Sequence, residues 1–471
     1  MRSSLISLLT IVAFSTPLSL AAPSLPTGLS KPTVTKPTLP KGLLKTPSLP
    51  VGIESTEDKK GTSNKLPLFK SDSVFNFNGF LDFRSGIRTQ TDPNESQQSL
   101  NETRLQLALQ TEISSMLINL TGDLLADTVS SQHAIDLESG RGWLDLREAN
   151  IVFSPFSFVD LKLGRQILTW GTGDLIFIND LFPKDWQAFF IGRDLEYLKA
   201  PSDALKTSFF TDYANLDIVY TPNFDSDRGI TGEKLSYYNP SLNSLAGEHH
   251  IIKPEKPHTD EISLRLYKNI ATSELALYAY HGFWKSPVGF APINSTNRYP
   301  VMRSLGASLR SPLNQGIANV EIGYYDSYEQ GARDNPFTPN SEARLLIGYE
   351  QEFIKNLTIG VQYYVEWMLD YGHYKTSMEL IGATTERDEI RHVLTNRISL
   401  LTHQQNIAWS LFTFYSPSDA DAYFRPNINY QHDDHWSLEL GGNFFIAQEK
   451  HTFFGQFKNN NNVYASIRYG F

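Results

Sequence analysis

The sequence predicts an all-β membrane protein, a closed antiparallel up-and-down barrel of about eighteen strands. Three observations support this prediction. From Val74 onward, stretches of about ten residues alternate between apolar and polar side chains, as strands do when one face meets lipid and the other meets water. The connections between these stretches alternate in length. No segment reaches the roughly 18 consecutive apolar residues of a membrane-spanning helix, although aromatic residues make up 12% of the chain.

The chain begins with a segment typical of an export signal. Arg2 supplies a positive charge, residues 5–14 form an apolar stretch, and small residues precede Ala22. We predict that residues 1–21 are a signal peptide that is removed on export. The chain has no cysteine, which excludes disulfides, thiolate metal sites and a lipoprotein-type lipid anchor.

Residues 22–73 differ in composition from the rest of the chain. Prolines recur from Pro23 to Pro67 among Thr, Ser, Lys and Gly, and proline favours extended backbone without secondary structure. We predict a semi-rigid or disordered periplasmic linker. Lysines outnumber acids here, whereas the whole chain has a net charge of −10. Two roles stay open for this basic segment: a solvated spacer, or a contact with peptidoglycan or another periplasmic partner.

The alternating stretches can be assigned individually. In the first, Phe77, Leu81 and Phe83 share one face, while Asp82 and Arg84 share the other. Eighteen is an even number, as a barrel with both termini in the periplasm requires, and sixteen strands is the alternative. The predicted strands are 74–88, 102–113, 116–124, 144–154, 157–169, 205–212, 215–221, 259–268, 272–283, 299–311, 316–328, 342–353, 357–369, 387–401, 406–416, 421–430, 435–448 and 462–471.

The lengths of the connections predict the orientation of the barrel. Connections such as 114–115 and 155–156 are short, and those between them, such as 170–204 and 222–258, are long. The connection 417–420 is the exception. Bacterial barrels have tight periplasmic turns and long extracellular loops, so the short connections are predicted to face the periplasm. A soluble sandwich has no reason for this regularity.

The last strand carries a resemblance to a known family. Val463, Ile467 and Phe471 lie on its apolar face, while Ser466 and Arg468 lie on the other. With this ending, residues 74–471 resemble the Gram-negative outer-membrane porins and related barrel channels.

The resemblance implies a location and several partners. It implies residence in the bacterial outer membrane, contact with membrane lipid and lipopolysaccharide, and Tyr469 and Phe471 as the signal for the barrel-assembly machinery. General porins are often trimers, so a homo-trimer is one assembly it allows. The stretch 161–171, followed by Asp174 and the pair 179–180, is similar to the alginate-export-like porins. In those barrels, such a strand end opens a long loop that folds partly inward.

The alternation also predicts which charged side chains face the lumen. An Arg or Lys on the lipid face costs about 2–4 kcal/mol at the membrane midplane, so charged residues of the strands are assigned to the water-filled side. Opposed charges across a pore favour small polar solutes, although any single pair can also be structural. The predicted pore-lining residues are Arg84, Arg104, Lys162, Arg265, Arg344, Arg397, Arg425, Arg468, Asp82, Asp123, Glu321, Glu366 and Glu439.

The connection 170–204 is predicted to narrow the lumen. It is too apolar and aromatic to lie in solvent, so it packs either inside the barrel as a constriction loop or outside as a cap on neighbouring loops. In the first arrangement its charged side chains line the narrowest point. These residues are Asp174, Asp180, Lys184, Asp185, Arg193 and Glu196.

We predict no catalytic residues, metal site, cofactor or nucleic-acid partner. The sequence 432–435, His-Asp-Asp-His, falls in a predicted periplasmic turn, and no lipase elbow, phosphate-binding loop or dinucleotide fingerprint occurs. The first hypothesis for function is therefore a channel for passive diffusion of small hydrophilic solutes. The second is a substrate-specific porin that imports or exports one oligosaccharide or organic acid. The third is a surface enzyme or adhesin that uses the long loops.

Overall fold

The structure is a computed structural model that describes residues 75–251, 253–293, 295–327, 337–381 and 385–471. The predicted signal peptide and linker, residues 1–21 and 22–73, lie outside the described residues. Within the described part of the chain, no helix is long and apolar enough to cross a membrane.

Eighteen strands form one antiparallel sheet that closes on itself, since the first strand pairs with the last as well as with the second. Four shorter strands form two hairpins in the long loops, β8 with β9 and β12 with β13. In chain order the strands are β1 (Asn76–Arg88), β2 (Gln98–Ile113), β3 (Met116–Asp127), β4 (Leu144–Phe156), β5 (Val159–Ile167), β6 (Pro201–Phe209), β7 (Asn215–Thr221), β8 (Tyr237–Asn239), β9 (Ser244–Ala246), β10 (Glu261–Ile270), β11 (Ser273–Phe283), β12 (Gly289–Ala291), β13 (Thr296–Arg298), β14 (Val301–Leu313), β15 (Gly316–Asp326), β16 (Glu342–Ile354), β17 (Leu357–Met368), β18 (Ile390–Thr402), β19 (Ile407–Ser416), β20 (Asp421–Gln431), β21 (Trp436–Ala447) and β22 (Asn462–Gly470).

Two α-helices lie in the connections: α1 (Trp186–Ile191) follows β5, and α2 (Tyr371–Ile381) follows β17. Three short 3₁₀ turns are described as well, at Leu195–Leu198, Glu248–His250 and Gly455–Phe457.

The predicted fold class is confirmed, with eighteen wall strands rather than sixteen. The largest differences in strand bounds are at β2 and β6, which start at Gln98 and Pro201 rather than at 102 and 205. The sequence 200–203 reads as a loop because of its proline. Pro201 is nevertheless the first residue of its strand, opposite Ile167, a position that tolerates the missing N–H.

The two faces of the wall differ in the way that the alternation predicts. On β1, Asp82 and Arg84 are buried, whereas Leu81 and Phe83 are about half exposed. The exposed positions of the other wall strands are also mainly apolar, for example Leu305 and Leu440. An outer apolar surface around an inner charged surface is the arrangement that a lipid bilayer requires.

The barrel closes where β22 meets β1. The backbone N–H of Phe471 donates to the carbonyl of Gly79 (3.0 Å), and the Gly79 N–H donates to the Phe471 carbonyl (3.1 Å). The ring of Phe471 lies 6.1 Å from that of Phe77. A Cβ at Gly79 would lie 2.9 Å from the Phe471 ring and 2.3 Å from the Gln106 carbonyl oxygen. The terminal aromatic residue therefore fits the wall only because residue 79 has no side chain.

The long loops bind one another on their side of the barrel. Glu233 accepts hydrogen bonds from Ser130 Oγ (2.7 Å) and the Ser131 N–H (2.6 Å) and forms an ion pair with Arg141. Asn460 donates to the Ser236 carbonyl at 3.0 Å. Loops from distant parts of the sequence are thus joined by polar contacts.

The first prediction concerns barrel closure. Gly79→Ala should destabilise the folded barrel by about 1–3 kcal/mol, because the added methyl group forces the Phe471 ring and the β2 backbone apart. The measurement is the midpoint of thermal unfolding in detergent. Gly360→Ala is the control, since a Cβ there meets nothing nearer than 3.5 Å. Equal midpoints for the two variants would contradict this account of the closure.

The second prediction concerns pH. Burial raises the pKa of the Glu95 carboxyl to about 7, from 4.5, despite Arg88 at 3.8 Å. Between these two values the folded protein binds more protons than the unfolded chain, so this contribution to stability decreases as pH rises from about 4.5 to 7. We expect the unfolding midpoint of the wild type to decrease more than that of Glu95→Gln between pH 5 and pH 8. Glu138→Gln, at an exposed loop position, should behave like the wild type.

Candidate functional site: a segment inside the barrel

The candidate site is built around the connection between β5 and β6, residues 168–200, which we call the inner segment. Near its start lies Trp170, whose ring packs at 4.9 Å on Phe182 and at 6.2 Å on Tyr278 of β11. Asp185 caps α1 by accepting from the Ala188 N–H at 2.7 Å. Gly192 ends the helix with a φ of 96°, a conformation that a residue without a side chain adopts easily.

One end of the inner segment is held by strands β15 and β18. The carboxylate of Glu321 is almost completely buried and accepts from the Thr172 N–H, from the Gly173 N–H (2.8 Å) and from the Asn179 side chain (3.0 Å). Hydrogen bonds to a buried charged acceptor stabilise by about 1.5–3 kcal/mol each.

A bidentate ion pair adds to this anchor. Arg397 of β18 binds Asp174 through Nε and a terminal nitrogen, the latter at 2.8 Å. The start of the inner segment is therefore fixed to the wall by both a carboxylate and a guanidinium group.

The other end of the inner segment is held by β1, β2 and β22. Arg84 donates to the Gly192 carbonyl at 2.6 Å and to Asp194 at 2.7 Å, and Arg468 also pairs with Asp194. Arg193 binds Glu102 of β2 at 2.7 Å. In the ring of eighteen strands, β1 and β2 lie nearly opposite β15, so the inner segment crosses the lumen.

Apolar packing holds the middle of the inner segment against a third part of the wall. Phe189 and Phe190 of α1 are buried against Tyr423 of β20, at ring distances of 5.8 and 5.5 Å. Phe445 of β21 and Phe457 of the last long loop complete the cluster. The wall therefore presents aromatic side chains, Tyr423 and Phe445, at the positions that α1 packs against.

The predicted pore-lining residues all lie on the inward parity of their strands, and most are engaged in ion pairs there. Examples are Arg104 with Asp123 (2.5 Å), Arg265 with Glu274 (2.6 Å) and Lys162 with Glu148 (3.6 Å). Other ion pairs join wall strands to one another or to the inner segment, and they involve Asp82, Arg84, Arg344, Glu366, Arg397, Glu439 and Arg468. Glu321 and Arg425 bind the inner segment through hydrogen bonds.

The six predicted charges of the constriction loop have different surroundings. Asp174 and Arg193 bind the wall, as described, and Asp185 caps α1. Asp180 and Lys184 are both buried and bind each other at 3.0 Å, while Glu196 is exposed. The segment thus neutralises part of its own charge, which sequence spacing did not indicate.

A cavity of about 1490 Å³ lies between the inner segment and the long loops. One part of its lining, which we call the apolar side, contains aromatic rings, among them Phe177, Trp186 and Phe453. Another part, which we call the charged side, contains Arg344 and Glu342 of β16, Glu366 of β17, Arg387, Arg391 of β18, and Asp419.

Sequence reasoning missed several of these cavity residues. Arg391 shares its strand face with Val393 and Arg397, so the same alternation could have identified it. Arg387 was placed in a strand by the prediction 387–401, but β18 starts at Ile390 and Arg387 belongs to the preceding loop. Phe453 carried no signal, because a loop aromatic does not reveal which surface it will meet.

Comparison with known proteins agrees with this architecture. No family model matches the chain, and no curated protein matches it in sequence. Among solved structures, it is similar to Acinetobacter baumannii OccAB3 (11% identity, 84% of this chain and 99% of that chain, TM-score 0.51). It is also similar to OccAB4 of the same organism (9% identity, 85% and 99%, TM-score 0.51). A third similar structure is Pseudomonas aeruginosa OccD3 (10% identity, 84% and 91%, TM-score 0.50).

Identities of this size establish the fold alone. The resemblance to outer-membrane barrel channels is confirmed at that level, and the narrower similarity of residues 161–171 to the alginate-export-like porins stays a prediction. The chain has the closed barrel fold of the outer-membrane channels.

Proposed function

We propose that this protein is a channel of the bacterial outer membrane through which small hydrophilic solutes diffuse passively, without a chemical step. The observation that carries the proposal is the inner segment: a chain crossing the lumen between charged walls narrows a barrel that is otherwise wide enough for an aqueous path. The apolar outer face of the wall supports its location in a bilayer.

Selection by such a channel depends on size and on fixed charge. The inner segment limits the cross-section, while the charges of the wall replace part of the hydration shell of a polar solute. Because acids pair with arginines at close range on the inward face, as at Asp82, Arg84 and Glu439, the wall presents a local field of alternating sign. Such a field orients polar and zwitterionic solutes.

A substrate-specific porin is the second candidate, and the cavity favours it. Ordinary ligand sites measure about 300–1,000 Å³, so a space of about 1490 Å³ with one aromatic and one charged side can hold a solute in a defined position. An oligosaccharide or organic acid remains the proposed cargo in that case. The surface enzyme or adhesin is the third candidate, and it requires a lumen that conducts no ions.

The partners follow from the same proposal. We infer that Tyr469 and Phe471 are recognised by the barrel-assembly machinery and that the long loops meet lipopolysaccharide. A homo-trimer and a contact between residues 22–73 and peptidoglycan complete the set of proposed partners.

The third prediction tests the channel directly. In planar bilayers the purified protein should conduct potassium chloride, and deletion of residues 172–198 should raise the single-channel conductance severalfold, because conductance grows with the open cross-section. Heat-modifiable migration on a gel verifies that the shortened protein is folded. Absence of conductance in the wild type would contradict the channel, and unchanged conductance after deletion would contradict the constriction.

The fourth prediction concerns the anchor on β15. Glu321→Gln retains the size of the side chain but removes the charge that the inner segment's N–H groups bind, so we expect larger fluctuations of the open-channel current. Glu350→Gln on the neighbouring strand β16, near the short turn to β17, is the matched control and should leave the current unchanged. Equal noise in the two variants would show that Glu321 does not position the inner segment.

A further inference from the structure

The apolar side of the cavity offers a surface that a purely hydrophilic solute does not use. Phe453 is 44% exposed, although it lies in a loop between buried aromatic residues. Its ring meets that of Trp186 edge to face at 6.3 Å, and Trp186 in turn lies 6.2 Å from Phe177. The indole N–H of Trp186 donates to Asp227 at 3.1 Å, which fixes the ring. The result is a rigid aromatic surface of limited size.

On the charged side, Arg387 is more accessible than the acids that it binds. The side chain of Arg387 is about half exposed, whereas its partners Glu342 and Glu366 are buried behind it. Arg387 uses only one terminal nitrogen in these contacts. Its other two nitrogens form no described hydrogen bond, so their N–H groups are available to a solute.

Arg391 joins the two sides of the cavity. Its Nε donates to Asp419 at 2.5 Å, and its guanidinium carbon lies 5.8 Å from the centroid of the Phe453 ring. The terminal nitrogens of Arg391 form no described hydrogen bond. Planar guanidinium groups with free donors bind oxyanions in a bidentate manner.

We propose that this cavity binds an amphiphilic anion, whose apolar ring lies on Phe453 and Trp186 while its oxyanion group is bound by Arg387 and Arg391. The proposal rests on the proposed function, since it names the class of solute that the channel admits. Glu386 and Asp388 flank Arg387 at the rim and carry the opposite charge, so a cationic ring compound is the competing ligand.

The test is isothermal titration of the full-length protein in detergent, with micelle-only titrations subtracted. The probes are naphthalene-2-sulfonate and naphthalene-2-carboxylate, which share the ring and distinguish the two oxyanions. Methanesulfonate carries the charged group alone, 2-naphthalenemethanol carries the ring alone, and 2-naphthylmethylammonium carries the opposite charge.

We expect at least one of the two anions to bind about tenfold more tightly than each of the other three probes, as a charge-assisted hydrogen bond together with ring burial predicts. Arg391→Gln and Phe453→Ala should each weaken the binding of that anion by about tenfold. The conservative variants Arg391→Lys and Phe453→Trp should lose less affinity for the anion. Arg165→Gln and Phe158→Ala, whose side chains lie outside the cavity, should bind like the wild type.

Two results would overturn the proposal: binding of the cation or the neutral probe as tight as that of the anions, or anion binding that neither Arg391→Gln nor Phe453→Ala weakens. Conductance in potassium chloride is recorded on the same preparations. Conduction without selective anion binding removes this inference and leaves the channel, whereas anion binding without conduction removes the channel and leaves the site.

Discussion

The inner segment can lie inside the barrel only because its charged and polar groups find partners on the wall. Burying an unpaired carboxylate costs several kcal/mol, and Asp194 and Asp174 would carry that cost if Arg84, Arg468 and Arg397 were absent. The dependence is mutual. Arg84 is almost fully buried, and it needs Asp82, Asp194 and Glu439 as much as they need it. The narrowed lumen and the charged wall are therefore one structure.

This mutual dependence explains why the strands could be predicted from sequence, whereas the arrangement of side chains inside the lumen could not. A wall strand obeys a local rule: with a period of two, Leu81 and Phe83 face lipid wherever the strand sits in the ring. The short and long connections then give the order and orientation of the strands, because neighbours in sequence are neighbours in the sheet. Both signals can be read within about twenty residues, and this is why strand bounds agreed to within a few positions.

The contents of the lumen depend on pairs that are distant in sequence. Arg397 meets Asp174 across 223 positions, and Arg468 meets Asp194 across 274. Alternation assigns Arg397 and Arg468 to the inward faces of their strands, but it contains no information on which partner each meets there. The mutual burial of Asp180 and Lys184, although these residues are close in sequence, and the aromatic contacts of Phe453 were equally unpredictable. They depend on the path of a loop, and no periodic pattern describes that path.

The distribution of aromatic residues explains why the space left open is asymmetric. Where β19, β20 and β21 turn Phe412, Tyr423 and Phe445 inward, α1 packs against them and excludes water. At β16, β17 and β18 the inner segment is also bound to the wall, through Asp174 to Arg397 and through Leu175 and Ile176 to the apolar cluster that contains Leu346. The charged residues at the long-loop ends of these strands remain in the lining of the cavity. Phe453 contacts both regions, since its ring lies 4.9 Å from that of Phe454 and 5.8 Å from the guanidinium carbon of Arg391. The cavity thus takes its aromatic rings Phe177, Trp186 and Phe453 from the inner segment and the last long loop, and its arginines from β16, β18 and the loop before β18.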